Sequence, residues 1–526
     1  MMLSLAIDVG LGTGTSVARR GCARLKVVAP STLFALLEQG APDHPALVVP
    51  NRVSLSYRRL RELVDEAAHA LASQGVGRGD RVAMVFPNGP EAILLFIAAS
   101  MVATACPLNA AYKEDEFRFY LEDVGARFLL VPPGEAEAAR KGMSVGGKVI
   151  EAGLDGDGRL HLNGAGAGRR LDSLDLSEAG DVGLVLHTSG TTSRPKKVPL
   201  LNENLTASVA NIIATYELGP EDLSLCIMPL FHVHGLVASA LATFGSGGTV
   251  VAPERFSPLG FWPLMQAHRP TWFTASPTPH QLVLARLQED RPAGTERLRF
   301  VRSCSSALSP AQMVLMEQRF GVPVLEAYGM TEASHQMSSN PLPPAPRYAG
   351  SVGAGTGVEI AIFDDAGTAL SAGAAGEVVI RGRNVMHGYE NNPQANADAF
   401  VTGWFRTGDL GTLDAAGYLR LISRIKELIN RGGEKIAPRE IDEVLESHPS
   451  VREAVAFGVP HPTWGEEVAA AVVLAAPATE KELLAYCRER LADFKVPKRL
   501  LFVESIPRTP TGKVQRRFVA EQLMHA

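Results

Sequence analysis

Apolar and polar positions alternate along the chain in blocks that are typical of helices and strands following one another. Residues 57–75 carry apolar side chains at helical spacing, and residues 81–86 form a short apolar run of strand length. Residues 89–103 predict a second helix, and residues 128–131 predict a second strand. This alternation predicts a fold of layered α/β sheets with mainly parallel strands.

The length of the chain predicts more than one domain. A chain of 526 residues exceeds what one hydrophobic core normally holds, so a large domain plus a smaller one is expected. Near residue 423 a charged connector ends in a glycine pair, and the chain beyond it has helix and strand patterns of its own. We therefore predict a large N-terminal domain over residues 30–422, a hinge at 423–426 and a small α+β C-terminal domain over 427–526.

Composition and net charge give no indication of a nucleic-acid or membrane partner. The chain is 46% hydrophobic and 20% charged, as in ordinary globular proteins, and its net charge of −5 gives no reason to bind nucleic acid or an anionic membrane. Five widely spaced cysteines without a C-x-x-C motif predict reduced thiols in the cytoplasm rather than disulfides or a zinc site.

The longest apolar run, residues 92–108, is short for a membrane span and predicts a buried helix, so no stable membrane insertion is expected. The sequence gives no indication of oligomeric state.

The first residues form a separate segment. Residues 1–29 are rich in glycine and arginine, and their short apolar stretch is followed by a glycine cluster that would break a helix. This pattern does not match a signal peptide. We expect a disordered extension of unknown use.

The most informative motif is the run HTSGTTSRPKKVP at residues 187–199. It lies between a short buried-strand pattern at 182–186 and an extended segment at 198–200, and no G-x-x-x-x-G-K-[ST] motif occurs anywhere in the chain. Hydroxyl groups, an exposed glycine backbone and a mobile cation together suit a polyphosphate, whereas the alternative is a polar surface turn. The candidate phosphate-binding residues are Thr188, Ser189, Gly190, Thr191, Thr192 and Lys196.

This loop resembles the phosphate-binding signature of the adenylate-forming superfamily of acyl-CoA synthetases, luciferases and peptide-synthetase adenylation domains. Its variant with Ser193 in place of the usual glycine is most similar to the oxalate–CoA ligase subgroup. The resemblance spans roughly residues 31–520 and implies the adenylate-forming fold, with ATP, Mg²⁺ and coenzyme A as co-substrates and cofactors. Lys197 departs from the glycine usual in the superfamily, and we expect its side chain to point to solvent.

Two further motifs are candidates for adenosine and magnesium binding. The segment Tyr328-Gly-Met-Thr-Glu332 follows a buried-strand pattern at 322–325 and resembles the YGxTE motif of the superfamily. The resemblance assigns adenine stacking to Tyr328, α-phosphate binding to Thr331 and Mg²⁺ ligation to Glu332. Asp409, in a segment similar to RTGD, and Arg424 are expected to bind the ribose, although an aspartate that caps a turn is the alternative for Asp409.

The C-terminal lysine at position 513 has two interpretations. From the residues alone, Lys513 is an ordinary exposed lysine near the end of a chain. The surrounding PxTxxGKxxR pattern resembles that of the superfamily's catalytic lysine, which implies that Lys513 bridges the attacking carboxylate and the α-phosphate.

The second half-reaction is assigned by resemblance as well. Lys426 falls at the hinge position of the superfamily, where the small domain rotates after adenylation. Gly432 and Gly433 lie where pantetheine would thread, with a helix-terminating turn as the alternative.

Polar residues at the predicted acyl site favour a small diacid. His232, His234, Ser305 and His335 lie in three segments that line the acyl site in the superfamily, and these segments resemble the oxalate–CoA ligase subgroup. A fatty-acid tunnel would be apolar, because a buried polar group without a partner costs about 1–3 kcal/mol. Two imidazoles and a hydroxyl suit a second carboxylate, with protonation of the histidines favoured by its charge, while each histidine taken singly is compatible with a structural role.

The sequence therefore predicts an ATP-dependent acid–CoA ligase that forms an acyl-adenylate and then a thioester, with oxalate as the favoured acid. Another short-chain, fatty or aromatic acid is the alternative within this class. A non-CoA adenylating protein or a non-catalytic binding relative is the alternative from other classes.

Overall fold

The structure is a computed structural model that describes residues 30–163, 170–188, 195–287, 289–508 and 514–524. Helices and strands alternate along much of the chain. The strands are β1 Pro45–Val49, β2 Val53–Ser56, β3 Arg81–Met84, β4 Thr104–Pro107, β5 Phe128–Val131, β6 Lys148–Leu154, β7 Leu160–Leu162, β8 Val182–Thr188, β9 Lys196–Leu201, β10 Leu223–Leu225, β11 Thr249–Val251, β12 Trp272–Ala275, β13 Phe300–Ser303, β14 Val324–Met330, β15 His335–Ser339, β16 Ala354–Gly355, β17 Glu359–Phe363, β18 Ala375–Arg381, β19 Phe400–Val401, β20 Trp404–Leu413, β21 Leu419–Arg424, β22 Ile429–Arg431, β23 Glu434–Ile436, β24 Val451–His461, β25 Gly465–Leu474 and β26 Arg499–Phe502. The α-helices are α1 Leu33–Leu36, α2 Tyr57–Ser73, α3 Pro90–Val102, α4 Glu114–Val124, α5 Glu137–Gly142, α6 Asn202–Tyr216, α7 Ala242–Gly245, α8 Phe261–His268, α9 Pro277–Leu284, α10 Pro310–Phe320, α11 Pro393–Ala399, α12 Pro438–Glu446, α13 Glu480–Arg488 and α14 Arg516–Met524.

Two large sheets dominate the N-terminal domain. In the described residues, one sheet has the order β16-β15-β14-β13-β12-β10-β11-β1-β2, and the other has the order β7-β6-β5-β3-β4-β8-β9. The central strands of both sheets pair in parallel, while β2, β7, β9, β15 and β16 pair antiparallel at the edges. The prediction of mainly parallel sheets is right for these two. The smaller sheet of β17 to β21 differs, because its strands pair antiparallel.

The helices follow from local sequence signals. The Ser56 hydroxyl accepts a hydrogen bond from the Arg59 backbone N–H at 3.3 Å and so caps the start of α2. Leu60, Leu63 and Val64 recur on one face of α2 and are fully buried. Helix α3 starts with proline in its first turn and is buried on nearly all sides, since it packs against α2 and both strands β4 and β8.

The C-terminal domain has hydrophobic cores of its own. Its sheet has the order β23-β22-β25-β24, with β26 paired to β25 in parallel. Helices α12 and α13 contribute Ile441 and Leu483 to one buried cluster, while α14 contributes Val519 to another. The predicted architecture of a large N-terminal and a small C-terminal domain is confirmed, and the exact hinge at 423–426 stays a prediction.

No helix in the described part of the chain combines the length and apolar character needed to cross a bilayer. The run at 92–108 instead forms the buried helix α3 followed by β4. The predicted extension at residues 1–29 lies outside the described residues.

Candidate active site

A cavity of about 990 Å³ lies between the two domains. Its wall includes the ends of β8 and β14, the segment after β13, and Asp409 on β20. Helix α12 of the C-terminal domain contributes four charged side chains, Arg439, Asp442, Glu443 and Glu446. Because parallel α/β sheets bind ligands at the carboxyl ends of their strands, this cavity is where a substrate is expected.

The predicted ribose-binding residues meet on neighbouring strands. Asp409 on β20 lies opposite Arg424 on β21, and Arg424 Nε is 2.7 Å from Asp409 Oδ1. The Tyr328 hydroxyl donates to the other carboxylate oxygen, Oδ2. Burial raises the pKa of Asp409, and the positive charge of Arg424 opposes that rise. This carboxylate is held in one orientation with lone pairs left to accept further hydroxyl groups.

Lys196 and Glu332 form a second charged part of the wall, joined by Tyr389. The Tyr389 hydroxyl donates to Glu332 Oε1 at 2.9 Å, and Lys196 Nζ lies 4.4 Å from the centre of the Tyr389 ring. Burial lowers the pKa of Lys196, and the charge of Lys426 lowers it further. Tyr389 was missed by the sequence analysis, because no motif or spacing distinguishes it.

Glu332 fits the role of a magnesium ligand. Among the described residues no cluster of three or more histidines, cysteines or acidic residues could hold a metal. Mg²⁺ commonly takes one or two carboxylates and completes its shell with phosphate oxygens and water. The buried carboxylate of Glu332, beside Lys196, matches that donor set.

Lys197 was expected to face solvent, and this prediction is wrong. Its side chain is only 12% exposed, and Nζ donates to the Asp123 carbonyl oxygen and lies 3.8 Å from Asp123 Oδ2. His187, which is opposite Lys197 in the β8–β9 pairing, has Nε2 2.9 Å from the same carboxylate oxygen. Lys197 is buried because it is paired with His187 across the antiparallel strands, so both side chains lie on the face of the sheet that packs against α4. Asp123 on α4 thereby holds both strands that flank the candidate phosphate loop.

Replacement of Lys197 by alanine is expected to loosen this attachment. The loss of a partly buried, charge-assisted hydrogen bond should lower the free energy of unfolding by about 1–3 kcal/mol and raise the KM for ATP. Urea unfolding and ATP kinetics measure the two effects. Lys141→Ala, which breaks an exposed ion pair on α5, is the matched control. Wild-type stability together with a wild-type KM in Lys197→Ala would contradict this account.

The four predicted acid-binding residues lie close together, two of them at the cavity wall and two buried behind it. His232 and Ser305 line the cavity. His234 is fully buried and His335 is 2% exposed, so both imidazoles lie behind the cavity wall rather than in it. Nδ1 of His234 is 2.9 Å from Ser305 Oγ, and the two imidazole centroids are 5.0 Å apart. His234 thus contacts the cavity through the Ser305 hydroxyl.

The backbone near these residues is strained. Ser305, Ser334 and His335 all have positive φ angles, of 75°, 50° and 100° respectively. The carbonyl oxygen of His335 lies so close to Gly329 that a Cβ there would be 2.0 Å from it. The glycine of the YGMTE segment is therefore required by the close approach of β15 to β14.

Arg302 is a residue of this region that the sequence analysis did not assign to the site. Its guanidinium is fully buried on β13 and donates to the Tyr216 hydroxyl at 2.8 Å, the Gln336 amide oxygen at 3.0 Å and the Thr274 hydroxyl at 3.0 Å. The available signal was an arginine within an apolar strand, since arginine is rarely buried without a partner.

The AMP-binding enzyme family matches residues 36–390, and the AMP-binding enzyme C-terminal domain matches residues 440–513. The chain belongs to the AMP-binding enzyme family. The resemblance to adenylate-forming enzymes and the predicted fold class are thereby confirmed.

Relatives and a solved structure agree with this assignment over nearly the whole chain. An oxalate–CoA ligase from Arabidopsis thaliana is 47% identical, covering 94% of this chain and 99% of the relative. An oxalate–CoA ligase from Saccharomyces cerevisiae is 42% identical, covering 91% and 94% respectively. The crystal structure of ATP-bound MatB from Rhodopseudomonas palustris has a TM-score of 0.85 at 30% identity, covering 94% of this chain and 98% of MatB.

The residues predicted for the second half-reaction of this family lie in two places. Lys426 lies in a 3₁₀ turn, Ile425–Glu427, and lines the cavity. Gly432 and Gly433, with φ angles of 60° and 94°, form the turn between β22 and β23 and are not part of the cavity wall. The alternative of a helix-terminating turn is wrong, because this is a hairpin turn in which both positions need positive φ.

Several predicted residues of the site lie outside the described residues, namely Ser189, Gly190, Thr191, Thr192 and Lys513. The flanks of the phosphate loop are described. Thr188 ends β8, pairs with Lys196 at the start of β9, and lines the cavity with it. The predicted strand–loop–strand arrangement therefore has antiparallel flanks that open into the cavity.

Proposed function

We propose that this protein is an oxalate–CoA ligase, which converts oxalate, ATP and CoA to oxalyl-CoA, AMP and diphosphate. Family membership and likeness to acid–CoA ligases over nearly the whole chain make it an AMP-forming acid–CoA ligase that uses ATP, Mg²⁺ and CoA. The choice of oxalate is supported by the named relatives and by the polar residues around Ser305.

The observation that carries the choice of acid is the hydrogen-bonded network beneath one part of the cavity wall. His234 bonds Ser305, and the fully buried Arg302 lies within 3.4 Å of His335 Nδ1. An alkyl chain placed against Ser305 and His232 would displace water from polar atoms, at about 1–3 kcal/mol for each one left without a partner. A carboxylate at the same place would accept their hydrogen bonds.

In the first half-reaction, one substrate carboxylate attacks the α-phosphorus of ATP and diphosphate leaves. We assign the ribose to Asp409 and Arg424, the adenine to Tyr328 and the α-phosphate to Thr331. The phosphate chain is assigned to Lys196 and to the loop residues Thr188, Ser189, Gly190, Thr191 and Thr192. Glu332 would hold Mg²⁺, which offsets phosphate charge when bound. Lys513 is assigned to the negative charge that develops between the carboxylate and the α-phosphate.

In the second half-reaction, the CoA thiol attacks the acyl carbon of the adenylate and AMP leaves. The mixed anhydride is already activated, so no nucleophile from the protein is required. We propose that the C-terminal domain rotates about a hinge at residues 423–426 that includes Lys426, which removes Lys513 and brings Gly432 and Gly433 toward the pantetheine.

A substrate comparison tests the proposal. CoA-dependent AMP release is measured with the purified full chain on oxalate, malonate, acetate, octanoate and coumarate. We expect kcat/KM for oxalate to exceed that of the other acids by about tenfold or more. A preference for octanoate or coumarate would instead favour a fatty or aromatic acid. Diphosphate release without a thioester would indicate a non-CoA adenylating protein, and no turnover with any acid would indicate a binding relative.

His335→Val tests the acid-binding residues. Loss of the imidazole should lower kcat/KM for oxalate on the order of 10- to 100-fold and leave acetate within about threefold, because the polar groups behind the site of the second carboxylate lose one member. Steady-state AMP release on both acids measures the effect. His387→Val, at an exposed histidine, is the control. Unchanged oxalate kinetics in His335→Val would remove this residue from the acid site.

We also propose a cytoplasmic location. The four described cysteines, Cys106, Cys226, Cys304 and Cys487, are buried free thiols, which is typical of a reducing compartment. A fluorescent fusion of the full chain that localised to an oxidising compartment would contradict this proposal.

A further inference from the structure

Arg302 places a positive charge in the protein interior without a carboxylate beside it. Its side chain is fully buried. Its hydrogen-bond partners are Tyr216, Thr274, Gln336, Cys304 and Nδ1 of His335, and none of them is an aspartate or a glutamate. Within the part of the chain that the structure describes, no aspartate or glutamate forms an ion pair with Arg302.

Other shielded arginines in this protein are compensated by carboxylates. Arg516 lies 2.6 Å from Asp442 and 3.2 Å from Glu427. Arg439, whose side chain is 14% exposed, lies 2.8 Å from Glu443. A buried charge without such a partner costs several kcal/mol of stability. Arg302 is the exception, since no carboxylate of the described residues offsets its charge.

One chain of hydrogen bonds links Arg302 to the cavity. Arg302 donates to Thr274 Oγ1 at 3.0 Å, and the same oxygen is 2.7 Å from His234 Nε2. The arginine can only donate, so it takes one acceptor position of Thr274 Oγ1 and leaves the hydroxyl proton available to Nε2. This arrangement favours the neutral tautomer of His234 that carries its proton on Nδ1. Nδ1 then donates to Ser305 Oγ at 2.9 Å, which directs the Ser305 hydroxyl proton toward the cavity that this residue lines.

A second branch reaches His335. The other terminal nitrogen of the Arg302 guanidinium is 3.4 Å from His335 Nδ1 and therefore donates to it. In the neutral ring, the proton of His335 then lies on Nε2. Arg302 supplies a fixed positive charge, and both imidazoles lie where they can relay hydrogen bonds from it.

We propose that Arg302 is a positioning residue that selects acids with a second negative charge. Its charge favours the distal carboxylate of the substrate, while its two hydrogen-bond branches hold His234 and His335 behind the cavity wall and orient the Ser305 hydroxyl toward that carboxylate. This inference rests on the proposed function, since it names the groups that recognise the second carboxylate of oxalate.

The test compares Arg302→Met, Arg302→Lys and Thr274→Val with wild type, using AMP release on oxalate and on acetate. In Arg302→Met, we expect the KM for oxalate to rise on the order of 10²-fold, with acetate kinetics and the KM for ATP within about threefold of wild type. Arg302→Lys keeps the charge and should recover part of the oxalate activity. Thr274→Val keeps the charge but breaks one branch, and should raise the KM for oxalate by about tenfold. Arg297→Met, at an exposed arginine shortly before β13, is the control.

The outcomes separate this inference from the proposed function. A wild-type protein that does not use oxalate contradicts the proposed function before any variant is measured. If wild type uses oxalate and Arg302→Met keeps the wild-type ratio of oxalate to acetate activity, the inference about Arg302 alone is overturned. Equal losses on oxalate, acetate and ATP would show a purely structural role and overturn it as well. If Arg302→Met does not fold, the ratio of oxalate to acetate activity is measured in Arg302→Lys and Thr274→Val instead. A wild-type ratio in both variants would overturn the inference.

Discussion

Lys513→Ala is expected to lower the rate of adenylate formation on the order of 10²- to 10³-fold, the size of effect seen when one donor to a developing charge is removed. The lysine is assigned to the negative charge that forms between the attacking carboxylate and the α-phosphate. Its removal should therefore affect the transition state more than the binding of ATP. Oxalate-dependent exchange of labelled diphosphate into ATP measures this half-reaction alone.

If Lys513 acts only in adenylate formation, its replacement by alanine should leave thioester formation intact. Thioester formation from supplied oxalyl-adenylate and CoA should continue in Lys513→Ala, because the proposed domain rotation removes this lysine before the thiol attacks. Lys498→Ala, at an exposed lysine of the same domain, should match wild type in both assays. Near wild-type diphosphate exchange in Lys513→Ala would refute its role.

Asp409→Asn should produce the second large effect, on ATP binding and on stability together. The neutral amide leaves the Arg424 guanidinium without its carboxylate. Because Asp409 is buried but Arg424 is 46% exposed, the expected loss of stability is about 1–3 kcal/mol. An amide also accepts paired ribose hydroxyls less well than a carboxylate. We expect the KM for ATP to rise on the order of 10²-fold, since a hydrogen-bonded charge is lost from the binding site.

ATP kinetics and urea unfolding measure these two effects of Asp409→Asn. Asp493→Asn, at an exposed aspartate of the C-terminal domain, is the control for the change from aspartate to asparagine. A normal KM for ATP in a destabilised Asp409→Asn protein would leave Asp409 a structural role only. Normal values of both quantities would contradict the geometry of the pair.

The sequence predicted those elements whose signals are local. The helix expected at 89–103 is α3, Pro90–Val102, and the strand expected at 128–131 is β5, because continuous apolar runs flanked by breakers mark both. The strand expected at 322–325 was placed too early. Strand β14 runs over Val324–Met330 and includes most of the YGMTE segment, since antiparallel pairing with β15 extends it. That pairing has no local signature.

The parts of the site that sequence reasoning missed depend on contacts between distant residues. Lys197 binds Asp123 across 74 positions, and Arg302 binds Tyr216 across 86 positions. Neither pairing follows from spacing or composition. His234 and His335 were predicted through resemblance, but only the structure shows what they contact. His234 lies behind Ser305 and reaches Arg302 through the Thr274 hydroxyl, while Nδ1 of His335 contacts Arg302 directly.

The most direct test of the central claim is mass-spectrometric identification of the product that purified wild-type protein makes from oxalate, ATP, Mg²⁺ and CoA. Formation of oxalyl-CoA with an equal amount of AMP, dependent on both ATP and CoA, is the predicted result. Absence of oxalyl-CoA from a preparation that converts octanoate or coumarate to its thioester would contradict the claim.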